Sequence, residues 1–250
     1  MSEFQQFIAS SNPAKDLWQH GNTGDLSITL MNNFVTQRIA EIRQELPSTV
    51  RLIAVTKGVS VALMRSAYQA GVRDFGESRV PEAIDKQAAL ADLPDICWHM
   101  IGHLQTNKAR KALQIFDWIH AVDSLKLLQS LERIATELQV RPAICLQVKI
   151  WPDPQKYGWS VEELLVDLVA INQCQQLQIQ GLMAIAPAGL TPEESQRFFL
   201  TLRQLRDQIS QSDWQRIALK ELSMGMSNDY PSAVSSGATM VRVGSKIFVP

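Results

Sequence analysis

Cysteine is scarce in this 250-residue sequence, and its three cysteines form no C-x-x-C pair. Cys97 and Cys145 lie inside apolar runs, and Cys174 follows a helical pattern. An odd number of scattered cysteines argues against a disulfide framework and fits a reducing compartment. The sequence also has no apolar run of membrane-spanning length, and it begins without the basic segment and apolar stretch of a secretory signal. We therefore predict a cytoplasmic protein without a membrane partner.

An excess of charge of one sign is lacking as well. Lysine and arginine number 24, aspartate and glutamate number 25, and the formal net charge is −1. Such a balance gives no long-range field that would attract nucleic acid. The short basic stretches at 108–111 and 203–206 fall within helical patterns and predict solvated helix faces. We predict no nucleic-acid partner.

Short apolar runs alternate with helical patterns from Arg51 onward. Most runs are apolar on both faces, which is typical of a parallel sheet, and eight such strands close into a (β/α)8 barrel. A doubly wound open sheet would need a glycine-rich fingerprint after the first strand, where the sequence reads T-K-G-V-S. We therefore predict an α/β fold with a single TIM-type barrel. The eight predicted strands are Leu52–Thr56, a strand beginning at Asp74–Gly76, Trp98–Ile101, Trp118–Val122, Ala143–Val148, Gly181–Ala186, Glu221–Met224 and Thr239–Val243.

The barrel domain is predicted to span residues 26–250. Residues 1–25 show no sustained period and are interpreted as a flexible N-terminal extension. A helical stripe runs from Leu26 to Leu46 and stops at Pro47. Ser60 is predicted to cap the next helix, and capping boxes at Ser160 and Thr191 predict two further helix starts.

Lys57 directly follows the first apolar strand. Function in this fold lies where strands end, so we expect the side chain at the rim of the barrel. Partial burial there would lower the pKa of a lysine and leave more neutral amine to attack a carbonyl. The alternative is a surface lysine that merely begins a loop.

The loops after strands seven and eight predict a phosphate cup formed by Ser227, Gly244 and Ser245. Barrels often bind phosphate at these two loops and at the N-terminus of a short helix, which Ser227 is expected to cap. Arg242 lies inside the eighth apolar run, so it needs a partner. Two partners are open: a core carboxylate such as Glu77, or a ring nitrogen or anion of a ligand.

Histidine is also rare, with four residues in the chain. His99 and His103 are four apart near the third strand, but no third metal ligand is evident, and no metal is predicted. His103 follows a glycine at the rim and is the better candidate for lining a pocket. His120 lies inside the fourth strand and is interpreted as a core histidine.

Several longer motifs resemble those of the pyridoxal phosphate homeostasis proteins. They are LIAVTK, DFGESRVPEA, WHMIGHLQTNKARK, GLMAIAP and ELSMGMSNDYPSAVSSGATMVRVGSKIF, and the resemblance covers about residues 35–250. The family implies a fold type III barrel for pyridoxal 5′-phosphate (PLP), similar to the alanine racemase N-terminal domain. By position, Lys57 resembles the Schiff-base lysine, Ser227, Gly244 and Ser245 the phosphate binders, and Arg242 the arginine facing the pyridine nitrogen. Ser78, His103 and Met224 are expected to line the pocket, although the family commonly has asparagine where Ser78 stands.

The resemblance implies a non-catalytic protein that holds PLP reversibly and balances cofactor and amino-acid pools. Apoenzymes that use PLP, or a regulatory protein, are the implied partners, and a monomer is expected because no second domain follows the barrel. Racemisation would need a second base, such as the tyrosine from alanine racemase's second domain. Two enzymes remain as alternatives: a PLP-dependent racemase or lyase with Lys57 as its only base, and a phosphosugar enzyme that uses Lys57 like an aldolase.

Overall fold

The computed structural model describes residues 25–153 and 156–249. Its parallel strands pair in the cyclic order β1-β2-β3-β4-β5-β7-β8-β9-β1, so the sheet closes into an eight-stranded barrel. A two-residue strand, β6, adds to β5 beside the barrel. The predicted TIM-type barrel is therefore confirmed. The strands are β1 Arg51–Val55, β2 Asp74–Glu77, β3 Cys97–Met100, β4 Trp118–Val122, β5 Ala143–Lys149, β6 Trp159–Ser160, β7 Gln178–Met183, β8 Ile217–Met226 and β9 Met240–Val243.

Helices follow the strands and cover the outside of the barrel. Their starts obey the local capping signals. Ser60 accepts the backbone N–H of Leu63, and capping boxes form at Ser160 and Thr191, as predicted. The helices are α1 Asp25–Glu45, α2 Val61–Gln69, α3 Val80–Ala89, α4 Ala109–Ile115 after a 3-10 turn at Thr106–Lys108, α5 Leu125–Leu138, α6 Val161–Ile171, α7 Pro192–Ile209, α8 Tyr230–Ser235 and α9 Ser245–Phe248.

Two separate apolar clusters result from the alternation of side chains along each strand. The larger cluster fills the layer between sheet and helices and includes Phe75, Phe199 and Met224. A smaller cluster lies among strand residues of the opposite faces, inside the barrel, and includes Ile53 and Met183. Where a strand keeps its register, residues an odd number of positions apart thus face different layers. The irregularity in β4 between Ile119 and Val122 is an exception, because Trp118 and Ala121 both face the inside of the barrel.

Two strands differ most from the predictions, and one of them, β7, ends at Met183 rather than at the predicted Ala186. β7 begins at Gln178, three residues before the predicted Gly181, because Ile179 is buried between two partly exposed glutamines. β8 extends over ten residues, since buried Ile217 and Leu219 alternate with exposed neighbours ahead of the apolar run. The predicted N-terminal extension lies outside the described residues, except for Asp25, where α1 begins. No helix within the described ranges is long and apolar enough to cross a membrane.

Candidate functional site

Lys57 lies at the carboxyl end of β1, where the prediction placed it. Its side chain is exposed, so the expected partial burial of the amine is not found. The residues on either side are held firmly. The Thr56 side chain is completely buried, and the Gly58 N–H donates to Glu82 Oε1 at 2.6 Å.

A buried lysine, Lys86 of α3, anchors this loop. Its Nζ donates to the Thr56 carbonyl at 2.6 Å, to Glu77 Oε1 at 2.8 Å and to Glu82 Oε1 at 2.6 Å. The Thr56 hydroxyl also donates to Glu77 Oε1 at 2.6 Å. We call these four residues, Thr56, Glu77, Glu82 and Lys86, the Lys86 cluster. It fixes the backbone on both sides of Lys57 without contacting the Lys57 side chain.

Glu77 is wholly buried, and burial raises its pKa against the opposing hydrogen bonds from Lys86 and Thr56. Its second oxygen, Oε2, has no hydrogen-bond partner among the described residues. The sequence offered Glu77 as a core partner for Arg242, and that pairing is wrong. Glu77 belongs to the sheet–helix layer with Lys86, whereas Arg242 points into the barrel.

Ser227 joins the two loops of the predicted phosphate cup. Its Oγ accepts the backbone N–H groups of Gly244 at 3.2 Å and of Lys246 at 3.3 Å. The expectation that Ser227 caps the following helix is wrong, because α8 begins only at Tyr230, with Asp229 in the cap position. The hydroxyl instead binds the first turn of α9, in the other loop. Backbone donors and a hydroxyl are thereby gathered in one place.

Two glycines pack closely around the cup. A Cβ on Gly244 would lie 3.1 Å from Val55 Cβ, so the β9 loop packs tightly against the end of the strand that carries Lys57. Gly225 has a φ of +88°, and a Cβ there would lie 2.6 Å from Ala233 Cβ. Ser245 is exposed at the start of α9.

Arg242 is buried inside the barrel, with 3% of its surface exposed. Its Nη1 donates to Ser223 Oγ at 2.5 Å, and its Nη2 donates to the Ala184 carbonyl at 3.0 Å, just beyond the end of β7. Burial lowers the pKa of Arg242 to about 10, so the guanidinium remains charged at neutral pH. Since β1 pairs with β9 in register, Arg242 and Gly244 adjoin the strand that leads to Lys57.

Of the other predicted pocket residues, Ser78 and His103 follow the carboxyl ends of strands, whereas Met224 does not face the barrel interior. Ser78 follows β2, and a Cβ on Gly102 would lie 2.5 Å from its carbonyl oxygen, so the ends of β2 and β3 touch. His103 is exposed at the rim, where its Nδ1 lies 2.8 Å from Asp123 Oδ2. The prediction that Met224 lines the pocket is wrong. Met224 is fully buried in the sheet–helix layer, because it is one residue from Ser223, whose side chain faces inward.

His99 and His103 do not converge, because β3 ends at Met100 and the chain turns outward before His103. Donor atoms of Asp74, Cys97 and His99 do lie within 4.8 Å of one another. However, the Arg51 guanidinium stands 3.7 Å from the Asp74 carboxylate and opposes a cation there. Burial raises the pKa of Cys97 to about 12, which disfavours the thiolate that a metal would bind.

Comparison with known proteins decides the family. The family model described as alanine racemase, N-terminal domain, matches residues 33–249. A pyridoxal phosphate homeostasis protein of Synechocystis sp. is 49% identical over 209 residues, which cover 84% of this chain and 95% of that protein. The chain belongs to the pyridoxal phosphate homeostasis protein family. A second member, from Pseudomonas aeruginosa, is 40% identical over 86% of this chain and 91% of its own length.

Solved structures agree with this membership in the pyridoxal phosphate homeostasis family. PipY of Synechococcus elongatus PCC7942, described with PLP bound, has a TM-score of 0.82 and 51% identity, over 86% of this chain and 99% of PipY. An alanine racemase of Clostridium difficile has a TM-score of 0.71 over 86% of this chain and 56% of its own. At 15% identity, that racemase supports the fold alone.

Sequence reasoning missed three residues that position the site: Lys86, Ser223 and Gly225. Lys86 had only a helical Ala/Glu/Lys-rich context, which predicts a solvated face rather than a buried contact. Ser223 lies within the predicted strand Glu221–Met224, where nothing in the local pattern distinguishes it from a core residue. Gly225 could have been found, because a glycine between a predicted strand and a predicted helix often marks a left-handed turn.

Proposed function

We propose that this protein binds PLP reversibly at the mouth of its barrel and serves to hold and hand over the cofactor. One observation carries the proposal: β9, which leads from Arg242 to Gly244, pairs in register with β1, which leads to Lys57. A charged donor, backbone donors and an amine thus occupy neighbouring strand ends. The names of the relatives, and the PLP reported bound to PipY, support this function over an amino-acid racemase.

The residues present fit such a cofactor. The Gly244 N–H donates to Ser227 Oγ, so a backbone donor and a hydroxyl already stand together at this end of the barrel. Exposed Ser245 adds a second hydroxyl beside them. These groups match a phosphate, because backbone N–H groups at a helix start and hydroxyls are donors that phosphate accepts from. Arg242 supplies a permanently charged donor for a ring nitrogen. When bound, PLP supplies an aldehyde that condenses reversibly with a primary amine, and Lys57 supplies that amine.

The charge on Arg242 favours holding over catalysis. A cationic donor facing a pyridine nitrogen keeps that nitrogen unprotonated, which weakens the ring as an electron sink. Because Lys57 is exposed at the rim, water and other proteins can reach its amine. Both features suit a carrier that loads and releases its cofactor.

The placement of the tyrosines bears on the racemase alternative. Tyr68 lies on α2 and bonds to Asp95, and Tyr230 is buried. Tyr157 is 56% exposed and stacks on His103, with ring centroids 3.6 Å apart at the rim. Tyr157 is therefore the tyrosine to test as a second base. Exchange of the α-hydrogen of alanine in deuterated water at enzymatic rates would establish the enzyme instead. Loss of that exchange in Tyr157→Phe would identify Tyr157 as a second base, and its persistence would leave Lys57 as the only base.

The decisive experiment is the visible spectrum of purified protein after addition of PLP. We expect a visible band at longer wavelength than that of free PLP, and we expect borohydride to attach the cofactor covalently to Lys57. Lys57→Ala should lose this band. Lys149→Ala is the matched control, because Lys149 also stands at the carboxyl end of a barrel strand, β5. An unchanged band in Lys57→Ala, or its loss in Lys149→Ala, would reject the assignment. Trapping only after addition of a sugar phosphate would favour the aldolase-like alternative.

We further propose a cytoplasmic monomer that passes PLP to apoenzymes or reports to a regulatory protein. Three free cysteines, with Cys145 and Cys174 buried, fit a reducing compartment. Light scattering of the purified protein, with and without PLP, tests the monomer directly. A dimer at micromolar concentration would contradict it.

A further inference from the structure

The interior of the barrel contains a continuous row of buried polar groups. Arg242 Nη1 contacts Ser223 Oγ at 2.5 Å, and Ser223 Oγ lies 2.8 Å from His120 Nδ1. His120 Nε2 lies 2.9 Å from His99 Nδ1, and His99 Nε2 lies 2.9 Å from Asp74 Oδ1. We call these five residues the histidine network. It begins at the first residue of β2 and reaches, through Arg242, the carbonyl that follows β7.

The network is isolated from solvent over most of its length. The side chains of His99, His120 and Ser223 are completely buried, and only Asp74, with 21% of its side chain exposed, approaches the surface. Burial lowers the pKa of His99 and lowers that of His120 well below 6.5, so both imidazoles are neutral at physiological pH. A buried polar row of this kind is tolerated only when each member has its partners.

The two ends fix the direction of every hydrogen bond between them. A guanidinium only donates, so Ser223 must accept from Arg242, and a carboxylate only accepts, so His99 Nε2 must carry the hydrogen. A neutral imidazole has one N–H, which leaves His99 Nδ1 to accept from His120 Nε2–H. His120 Nδ1 then accepts the Ser223 hydroxyl. The opposite direction would set a bare nitrogen of His99 against the Asp74 carboxylate.

We propose that Ser223, His120, His99 and Asp74 are positioning residues, which orient Arg242 toward a ligand at the barrel mouth through a one-way row of hydrogen bonds. Because the Ser223 hydroxyl donates to His120 Nδ1, a lone pair of Ser223 Oγ is left to accept from Arg242. Ala184 holds the second terminal nitrogen. The guanidinium is thereby fixed by the protein before any ligand arrives, and the orientation depends on residues as distant as Asp74.

The direction of the network is tested without a cofactor. Nitrogen-15 NMR of the imidazoles distinguishes N–H from bare nitrogen, and we expect Nε2–H with bare Nδ1 for both His99 and His120. Nδ1–H on either ring, or a doubly protonated ring at neutral pH, would overturn the assignment. This measurement uses the wild-type protein, so it does not depend on a variant that folds.

The positioning role rests on the proposed function, and it is tested by the rate of PLP release and the position of the visible band. His99→Phe keeps the stacking on Trp118 but breaks the row two hydrogen bonds away from Arg242. We expect it, like Ser223→Ala, to release PLP about tenfold faster and to shift the band, as loss of one bond to a charged group predicts. His99→Gln offers both an acceptor and a donor, so it should stay within about twofold of wild type.

Met183→Leu is the packing control, since Met183 is buried among the apolar residues inside the barrel. It should leave both readouts unchanged. Wild-type release and spectrum in Ser223→Ala and His99→Phe would overturn the positioning role. So would equal acceleration by His99→Gln and His99→Phe. Failure of the proposed function is distinct, because wild-type protein would then show no band with PLP.

Discussion

The two loops that flank the candidate site are held by different forces. The Lys57 loop is fixed by charge, since Lys86 bonds to two carboxylates and to a backbone carbonyl in the layer beneath it. The phosphate cup is fixed by neutral contacts, namely the Ser227 hydroxyl with two backbone N–H groups and the close packing of Gly225. A loop anchored by buried charge is costly to detach, whereas a neutral cup can trade its internal bonds for those of a phosphate.

The sharpest way to break this comparison is to remove the buried cation. Lys86→Met would leave Glu77 and Glu82 without their shared partner, and we expect about 3–5 kcal/mol less stability to urea, as for other broken buried pairs. Arg65→Met is the control, because the Arg65–Asp92 pair is 39% and 59% exposed and is screened by solvent, so its removal should lower stability far less. Equal losses in the two variants would mean that the Lys86 cluster is no stronger than a surface ion pair.

In the phosphate cup, which is held by neutral contacts, the largest effect is expected from a substitution at Gly225. Gly225→Ala adds a methyl group 2.6 Å from Ala233 Cβ at a φ of +88°, and we expect a loss of about 2–4 kcal/mol. Gly189→Ala measures the backbone term alone, since its φ is +80° and nothing lies within 4 Å of the added carbon; about 1 kcal/mol is expected. Urea unfolding that gave the same value for both would show that the loop relaxes around the methyl group.

Acid should destabilise a third part of the site, the histidine network, because that network requires neutral imidazole rings. The pKa values of His99 and His120 are lowered in the folded protein, so below about 6.5 the unfolded chain binds more protons. The stability that the two rings contribute is present above that pH and is lost as pH falls. From about pH 7.5 to 5.5 we expect a loss of about 1–2 kcal/mol, smaller in His99→Gln. Exposed His103 provides the control, and a His103→Gln protein that matched His99→Gln would refute the attribution.

The smallest expected effect on stability is that of Ser227→Ala. The variant leaves two backbone N–H groups without their acceptor near the surface, and a neutral hydrogen bond contributes about 0.5–1.5 kcal/mol to folding. Calorimetric titration with PLP should show a larger loss in affinity, about 1.5–3 kcal/mol, if the hydroxyl bonds to the phosphate. A loss in stability without a loss in affinity would confine Ser227 to holding the two loops together.

Local signals predicted the barrel well. Each of the eight barrel strands overlaps a predicted apolar run. The caps at Ser60, Ser160 and Thr191 were readable because a cap involves residues only a few positions apart. The short period of a strand could even have prevented two errors. Glu77 is three residues from inward-facing Asp74, and Met224 is one residue from Ser223, so both had to face the helices.

The contacts that define the site were beyond local reasoning. The histidine network joins β2, β3, β4, β8 and β9, and these strands meet only because the sheet closes with a staggered register. Lys86 reaches the Thr56 carbonyl because α3 docks under the β1 loop, and nothing in its own helix marks that contact. Residue types were visible in the sequence, but their partners were set by closure and docking.

Pairing of β1 with β9 has a consequence for synthesis of the protein. The barrel closes through its first and its final strand, and the site draws on both: Lys57 follows one, and Arg242 lies in the other. While a ribosome is still making β8, the growing polypeptide has an open sheet with two unpaired edges and no cup. A prematurely terminated product that lacks β9 should therefore be unable to retain cofactor, so the capacity to bind arises only after β9 has been made.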